Sequence, residues 1–203
     1  MYAGTILDIA MIHSDSLIIS AQRGDERAIS KLVSLWHTRI YNFCLKYFGD
    51  HDIAMDATQK TFISMCNSIS GLNDIGSFRS WLYKIATNSC HTELRQMNGK
   101  LRKDSMRIDE EEGIRFISDS AASPLEKMHQ SDLSDLLMSL LQKLPTDQRE
   151  VLIMKEYEGL KFREIAEILN QSENTVKSKM YYALGHIRKE LDKRNINKES
   201  IVL

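Results

Sequence analysis

Proline is nearly missing from this sequence: Pro124 and Pro145 are the only two among 203 residues. Glycine is sparse as well, with nine, so little interrupts the long segments rich in Leu, Ile, Met, Ala, Lys and Glu, residues that cost little in a helix. No stretch alternates apolar and polar residues for long enough to build a sheet. The expected fold class is all-α. Cysteine is limited to Cys44, Cys66 and Cys90, an odd number at wide spacing that offers no Cys-x-x-Cys pair or disulfide framework and reads as reduced thiols in a cytoplasm. Long apolar runs are missing too. The stretch from Met1 to Ser14 is broken by Asp8, has no basic residue ahead of it and is too short to span a bilayer, so neither export nor membrane insertion is expected.

Catalytic signatures are also wanting. There is no glycine-rich phosphate loop, no nucleophile with a base, and no pair of carboxylates in an apolar setting, which makes an enzyme the least expected class. The six histidines form no i, i+4 pair, and the neighbours Cys90 and His91 diverge around a helix, so no metal is expected. No cofactor is expected either.

What the sequence does have is charge in blocks. The whole chain carries a net charge of −1, but the average hides three segments. Arg79 to Arg107 holds seven bases and two acids, a local net of +5. Ile108 to Glu126 holds six acids, among them Asp109, Glu110, Glu111 and Glu112, against Arg115 alone, a net of −5. Asn174 to Arg194 holds six bases and two acids, a net of +4. Two basic surfaces separated by an acidic connector suit a nucleic-acid binder better than the total does.

The connector marks a boundary, because its acid run, Gly113, the small residues of Ser118 to Ser123 and Pro124 offer little to bury. A linker is expected over residues 100–124, between a first domain at 15–99 and a second at 125–195. In the first, Asp25 can cap a helix whose Ile29, Leu32, Val33, Trp36, Ile40 and Phe43 recur at helical spacing up to Gly49. A second helix from about Asp52 carries Ala54, Ala57, Thr61, Phe62, Met65 and Ile69 inward, and a third starts near Ser77. Trp36 and Trp81 both read as packing residues. Beyond the linker, Leu133, Leu136, Leu137, Leu140, Leu141 and Leu144 predict a helix that stops at Pro145. Thr146 or Asp147 can cap the next, which ends at Gly159 in a left-handed conformation.

Phe162, Ile165, Ala166 and Leu169 then fall at i, i+3, i+4 and i+7, and Asn170 to Glu173 breaks the pattern. The chain resumes at Asn174 or Thr175 with Val176 facing in and Lys177, Ser178, Lys179, Tyr181 and Tyr182 available to solvent. This is the layout of a helix-turn-helix, whose second helix enters the DNA major groove. An ordinary helical hairpin with a solvated lysine face has the same layout. Upstream, Phe78, Leu82 and Ile85 form an apolar stripe while Lys84, Asn88, His91 and Arg95 follow at i, i+4, i+7 and i+11, a polar cationic stripe suited to single-stranded DNA.

The run from Leu144 through Pro145, Thr146, Asp147, Gln148, Arg149, Glu150 and Val151 to Leu152, with Glu158 to Ala166 and Asn174 to Lys179, resembles region four of bacterial sigma factors. Ser77-Phe78-Arg79-Ser80-Trp81-Leu82-Tyr83-Lys84-Ile85-Ala86-Thr87-Asn88 is similar to region two, and Asp56 to Phe62 is similar to that region's clamp-binding helix. With no extra block between the halves, the chain resembles the extracytoplasmic-function (ECF) class. The resemblance implies a subunit that directs core RNA polymerase to promoters and promotes DNA melting without hydrolysing nucleotide. It implies minus-ten contacts from Leu72, Asn73, Asp74, Ser77, Lys84, Asn88, His91 and Arg95, with the loop 72–77 pocketing an extruded base. It implies minus-thirty-five contacts from Asn174, Thr175, Lys177, Ser178, Lys179, Tyr181 and Tyr182, and polymerase contacts from Asp56, Gln59, Lys60, Thr61 and Phe62. The implied partners are core RNA polymerase, promoter DNA in duplex and single-stranded form, and an inhibitory anti-sigma factor. This sequence departs from the family pattern at Lys60, where an acid is common, and at Tyr182 and Leu184, where arginine is common. Two rival readings are an autonomous helix-turn-helix regulator and an interaction module that kept the fold and lost DNA binding.

Overall fold

The computed structural model describes residues 14–105 and 128–194. Every regular element among them is helical: α1 (Ser14–Gln22), α2 (Glu26–Phe48), α3 (His51–Ser68), α4 (Phe78–Ser105), α5 (Met128–Gln142), α6 (Thr146–Leu152), α7 (Phe162–Leu169) and α8 (Glu173–Lys193). Short 3-10 turns at Ile69–Gly71 and Ile75–Ser77 join α3 to α4, and a π-helical turn, Ile153–Tyr157, extends α6. None of these helices is long and apolar enough to cross a membrane.

The ends of α2 are set by side-chain chemistry. Asp25 accepts hydrogen bonds from the amides of Arg27 and Ala28 at 2.9 and 3.3 Å, satisfying two donors that the first turn cannot use. Gly49 closes the helix at φ 70°, a left-handed position that only glycine adopts without penalty. Between these caps the expected stripe is buried: Leu32, Ile40 and Phe43 are wholly so, and Trp36 sits edge-on to Phe78 at 5.7 Å and to Tyr83 at 6.4 Å between ring centres. Trp81 is half-buried against Phe78, at 5.8 Å. These rings fix α4 across α2, which sets the direction in which the polar stripe of α4 points.

Two expected helix starts move. Neither Thr146 nor Asp147 caps α6: Pro145 holds the N-cap position without a side-chain bond, because its fixed φ suits the turn and Thr146 is already helical. The last helix begins at Glu173, capped by Ser172, whose hydroxyl accepts from the Thr175 amide at 3.1 Å. α4 runs on to Ser105, into the segment expected as linker, and the acidic run Asp109 to Glu112 lies outside the described residues. The stretch Met1 to His13 lies outside them as well.

Cys44 and Cys90 are wholly buried with their sulfurs 3.8 Å apart, and Cys66 is half-buried on α3. Burial, and then the neighbouring Cys44, push the Cys90 thiol well above its ordinary range, which suppresses the reactive thiolate. Native protein treated with iodoacetamide at neutral pH is therefore expected to be alkylated at Cys66 first, with Cys44 and Cys90 modified only after unfolding, as peptide mass spectrometry will read. Early modification of Cys90 would contradict this packing.

Candidate nucleic-acid interface

The helix-turn-helix is built by local chemistry. Lys161 donates its amide to the Glu164 carboxylate at 2.6 Å, fixing the start of α7. Asn170 ends that helix at φ 52°, one of the few non-glycine residues that tolerate the left-handed region. Ile165 and Ala166 on α7 and Val176, Met180 and Ala183 on α8 are buried, so the two helices share one apolar seam. The small Ala166 and Ala183 let them approach closely. The opposite face of α8 is open, with Asn174, Thr175, Lys177, Ser178, Tyr181 and Tyr182 all exposed. Tyr181 and Tyr182 brace each other edge-on at 6.0 Å, and Lys177 pairs with Glu173 at 2.6 Å one turn back.

Lys179 is the exception on that face. Its side chain is only 17% exposed and its ammonium lies 3.3 Å from Asp147 of α6. The spacing that puts Lys179 beside Ser178 also turns it toward the neighbouring helix, so in this arrangement it is neutralised within the protein and not offered to solvent as expected.

On α4, Lys84, Asn88 and Arg95 are exposed in the expected row, with Arg95 donating back to the His91 carbonyl at 3.2 Å. His91 does not stand free beside them: its Nε2 lies 2.7 Å from the Glu150 carboxylate of α6. The loop before α4 is stiffened by Asp74, which accepts from the Gly76 amide at 3.0 Å and whose carbonyl accepts from the Ser77 hydroxyl at 2.7 Å. Asn73 and Asp74 are exposed. Leu72 is buried, and its carbonyl accepts from Gln22 at 2.6 Å, so it anchors the loop from inside and does not face a ligand.

The surface expected along α3 divides. Asp56 and Gln59 are exposed, but the Thr61 side chain is wholly buried and donates its hydroxyl to the Ala57 carbonyl at 2.7 Å. Lys60 reaches across to Glu93 of α4. Phe62 is mostly buried, its ring stacked on His37 at 5.9 Å. Five residues within two turns cannot all share one helix face. Asp56, Gln59 and the remaining exposed edge of Phe62 border one apolar groove of about 690 Å³ that also includes Val33, Met55 and Ile63. Met55 and Ile63 are exposed large apolar residues eight apart with Gln59 midway, a second stripe out of phase with the core stripe that sequence reasoning passed over.

The chain is similar to known proteins over both halves. A family model described as Sigma-70 region 2 matches residues 32–99, and one described as Sigma-70, region 4 matches residues 134–187. The RNA polymerase sigma-H factor of Pseudomonas aeruginosa is 30% identical over 179 residues, covering 86% of this chain and 92% of that protein. The ECF RNA polymerase sigma factor SigW of Bacillus subtilis is 29% identical over 181 residues, covering 86% and 94%. Among solved structures, CnrH in complex with the cytosolic domain of CnrY superimposes with a TM-score of 0.65 at 21% identity, covering 89% of this chain and 97% of that one. The sigma factor RpoE in complex with the anti-sigma factor NepR from Bartonella quintana does so with a TM-score of 0.65 at 23% identity, covering 80% and 96%.

Proposed function

The chain belongs to the sigma-70 family of RNA polymerase sigma factors, in its ECF class, and from that membership we propose how it selects and opens promoters. Residues 15–99 act as the unit that binds polymerase and the minus-ten strand, residues 125–195 as the unit that binds the minus-thirty-five duplex, and 100–124 joins them. The observation that carries this reading is a pair of outward polar helix faces in one chain: Lys84, Asn88 and Arg95 on α4, and Asn174, Thr175, Lys177 and Ser178 with Tyr181 and Tyr182 on α8.

The two faces suit different forms of DNA. The first turn of α8 offers amides, hydroxyls and a lysine to a major groove about 12 Å wide, where base edges are distinguishable without separating the strands. On α4, cations spaced along one side track phosphates while Asn88 can hydrogen-bond the edge of an unpaired base, and the loop held by Asp74 is rigid enough to pocket it. Binding energy for the extruded base offsets an unstacking cost of a few kcal/mol, so recognising the minus-ten element and opening it are one event. No hydrolysis by this chain is needed. The groove beside Asp56 and Gln59 supplies a polymerase-facing surface with apolar contacts from Met55 and Ile63. An anti-sigma partner is part of the proposal, supported by the RpoE structure of like fold, which is a complex with one. The protein acts with polymerase in the cytoplasm.

The test is reconstitution. Purified protein mixed with bacterial core polymerase is expected to form a one-to-one complex that starts transcripts at discrete sites on genomic fragments, with no such starts from core alone. Absence of a complex, with operator binding by the protein by itself, would favour the autonomous regulator.

A further inference from the structure

α4 meets the second helical group along one flank. There Glu158, buried at the end of the π-helical turn, accepts from the Tyr83 hydroxyl with its carboxylate, which also lies 3.5 Å from Arg39 of α2, and its carbonyl accepts from Arg79. Glu150, also buried, faces His91. The flank that α4 turns to α3 is different. It carries an open cavity of about 370 Å³ lined by Lys60 and Ser64 of α3 and by Ile85, Asn88, Ser89 and Thr92 of α4. Helix geometry dictates that lining, since Lys60 and Ser64 stand at i and i+4, and the α4 residues at i, i+3, i+4 and i+7.

We propose that Lys60 is a strand-binding residue and not a polymerase contact, and that this cavity takes a backbone phosphate of the separated DNA strand beside the base that Asn88 meets. The proposal rests on the sigma reading, since it takes Asn88 to lie on the minus-ten surface. Lys60 does not line the groove that Asp56 and Gln59 border; one position past Gln59 turns it about 100° around α3, toward α4. Its ammonium is anchored by the Glu93 carboxylate, yet its side chain is 45% exposed while that of Glu93 is only 9% exposed. The cation therefore stands between the acid and solvent. An ammonium has three donors and the Glu93 oxygen takes one, so the others are left for a ligand. The cavity also joins the cationic row of α4, because the Thr92 hydroxyl donates to the Asn88 carbonyl at 2.8 Å and accepts from Arg95 at 3.3 Å. Lys60 thus brings a cation from the neighbouring helix to a base-reading residue whose own helix supplies Lys84 and Arg95.

A staple between α3 and α4 would use an ion pair too, but a pair this exposed on its cationic side contributes little to stability. Holding the lysine in place before the strand arrives does more, since it reduces the ordering cost of binding. Glu93 is thereby a positioning residue. It also accounts for the lysine itself: an acid at position 60 would face Glu93 as a like charge.

The test uses holoenzyme reconstituted from core polymerase and the full chain, carrying Lys60→Met, Lys60→Arg or Glu93→Gln. A fluorescent mixed-sequence single strand of about 20 nucleotides is titrated between about 50 and 200 mM salt, and binding by core alone is subtracted. Lys60→Met keeps the apolar stem and removes the charge. It is expected to weaken strand binding about fivefold at the lower salt, and to lower the salt slope by about 0.7, the mark of one lost phosphate contact on a single strand. Lys60→Arg should restore the slope. Glu93→Gln keeps an oxygen for the ammonium and removes the opposing charge, so strand binding should tighten about threefold. A staple would instead weaken strand binding in both Lys60→Met and Glu93→Gln, since each disturbs the same pair. That result, or an unchanged slope in Lys60→Met, overturns the proposal. So does lost affinity for core polymerase in Lys60→Met with strand binding intact, which returns the residue to the polymerase surface. Failure of the wild-type chain to bind core, or to add strand binding to it, would remove the sigma reading itself. Wild-type strand binding that is indifferent to Lys60 removes this proposal alone.

Discussion

Replacing Asn88 by alanine is expected to lower open-complex formation by about 5- to 150-fold, the range that losing one base contact of roughly 1–3 kcal/mol gives, while leaving affinity for core polymerase unchanged. The residue is exposed on the outward row of α4 and makes none of the packing contacts that hold that helix on α2, so folding should not be disturbed. The groove beside Asp56 and Gln59 lies on α2 and α3 and does not include it. Permanganate reactivity of promoter thymines, read beside a polymerase-binding titration, separates the two steps. Equal loss in both would show that Asn88 acts through the structure and not through the strand.

The largest effect on stability is expected at Arg149. Its guanidinium donates to the Gln142 and Leu144 carbonyls at 3.0 Å each, and to the Gln142 side-chain oxygen and the Tyr47 carbonyl at 2.6 Å each. Those backbone oxygens lie at the C-terminal ends of α5 and α2, where carbonyls have no partner within their own helix. One planar fork therefore closes two helices. Arg149→Ala strands these acceptors in a half-buried setting and is expected to cost about 3 kcal/mol, since hydrogen bonds to a charged donor contribute roughly 1.5–3 kcal/mol each and do not add fully. Arg149→Lys should recover only part, because a single ammonium cannot serve carbonyls in a fixed fork. Urea titration followed by circular dichroism measures both. A loss below about 1 kcal/mol for the alanine variant would mean that water replaces the guanidinium at little cost.

Much of this architecture was legible because it depends on near neighbours. The burial of Leu32, Trp36, Ile40 and Phe43 follows from their spacing, the helix end at Gly49 and the left-handed turn at Gly159 from residue type, and the α7–α8 seam from Ile165, Ala166 and Val176. The exposed row of Lys84, Asn88 and Arg95 was equally plain. Where partners lie far apart in the chain, the pattern was silent. Glu150 and Glu158 stand 59 and 75 residues from His91 and Tyr83, and an acid on an amphipathic helix reads as solvated unless its partner is known. Lys179 reads as solvent-facing from spacing alone, because the angle that separates it from Ser178 matters only once α6 lies beside it. Thr61 faces the core although Asp56, Gln59 and Phe62 border one groove, because similarity of a segment is read along the chain whereas a helix divides neighbours among its faces. The π-helical turn has no residue signature here, although it ends on the residue that three groups of the first half engage.

The order of synthesis gives the inter-group contact a consequence for the newborn chain. Domains generally form as units while the ribosome is still extending them, amino-terminal end first. α1 to α4 will therefore be complete before the segment that carries Glu150 and Glu158 has left the exit tunnel. During that interval the polar atoms of Arg39, Arg79, Tyr83 and His91 lack the oxygens of Glu150 and Glu158 that they later meet, and water can serve them in the meantime. The polar part of the contact can therefore wait in water, whereas the apolar residues that continue the core from one group into the other stay uncovered until the second group folds.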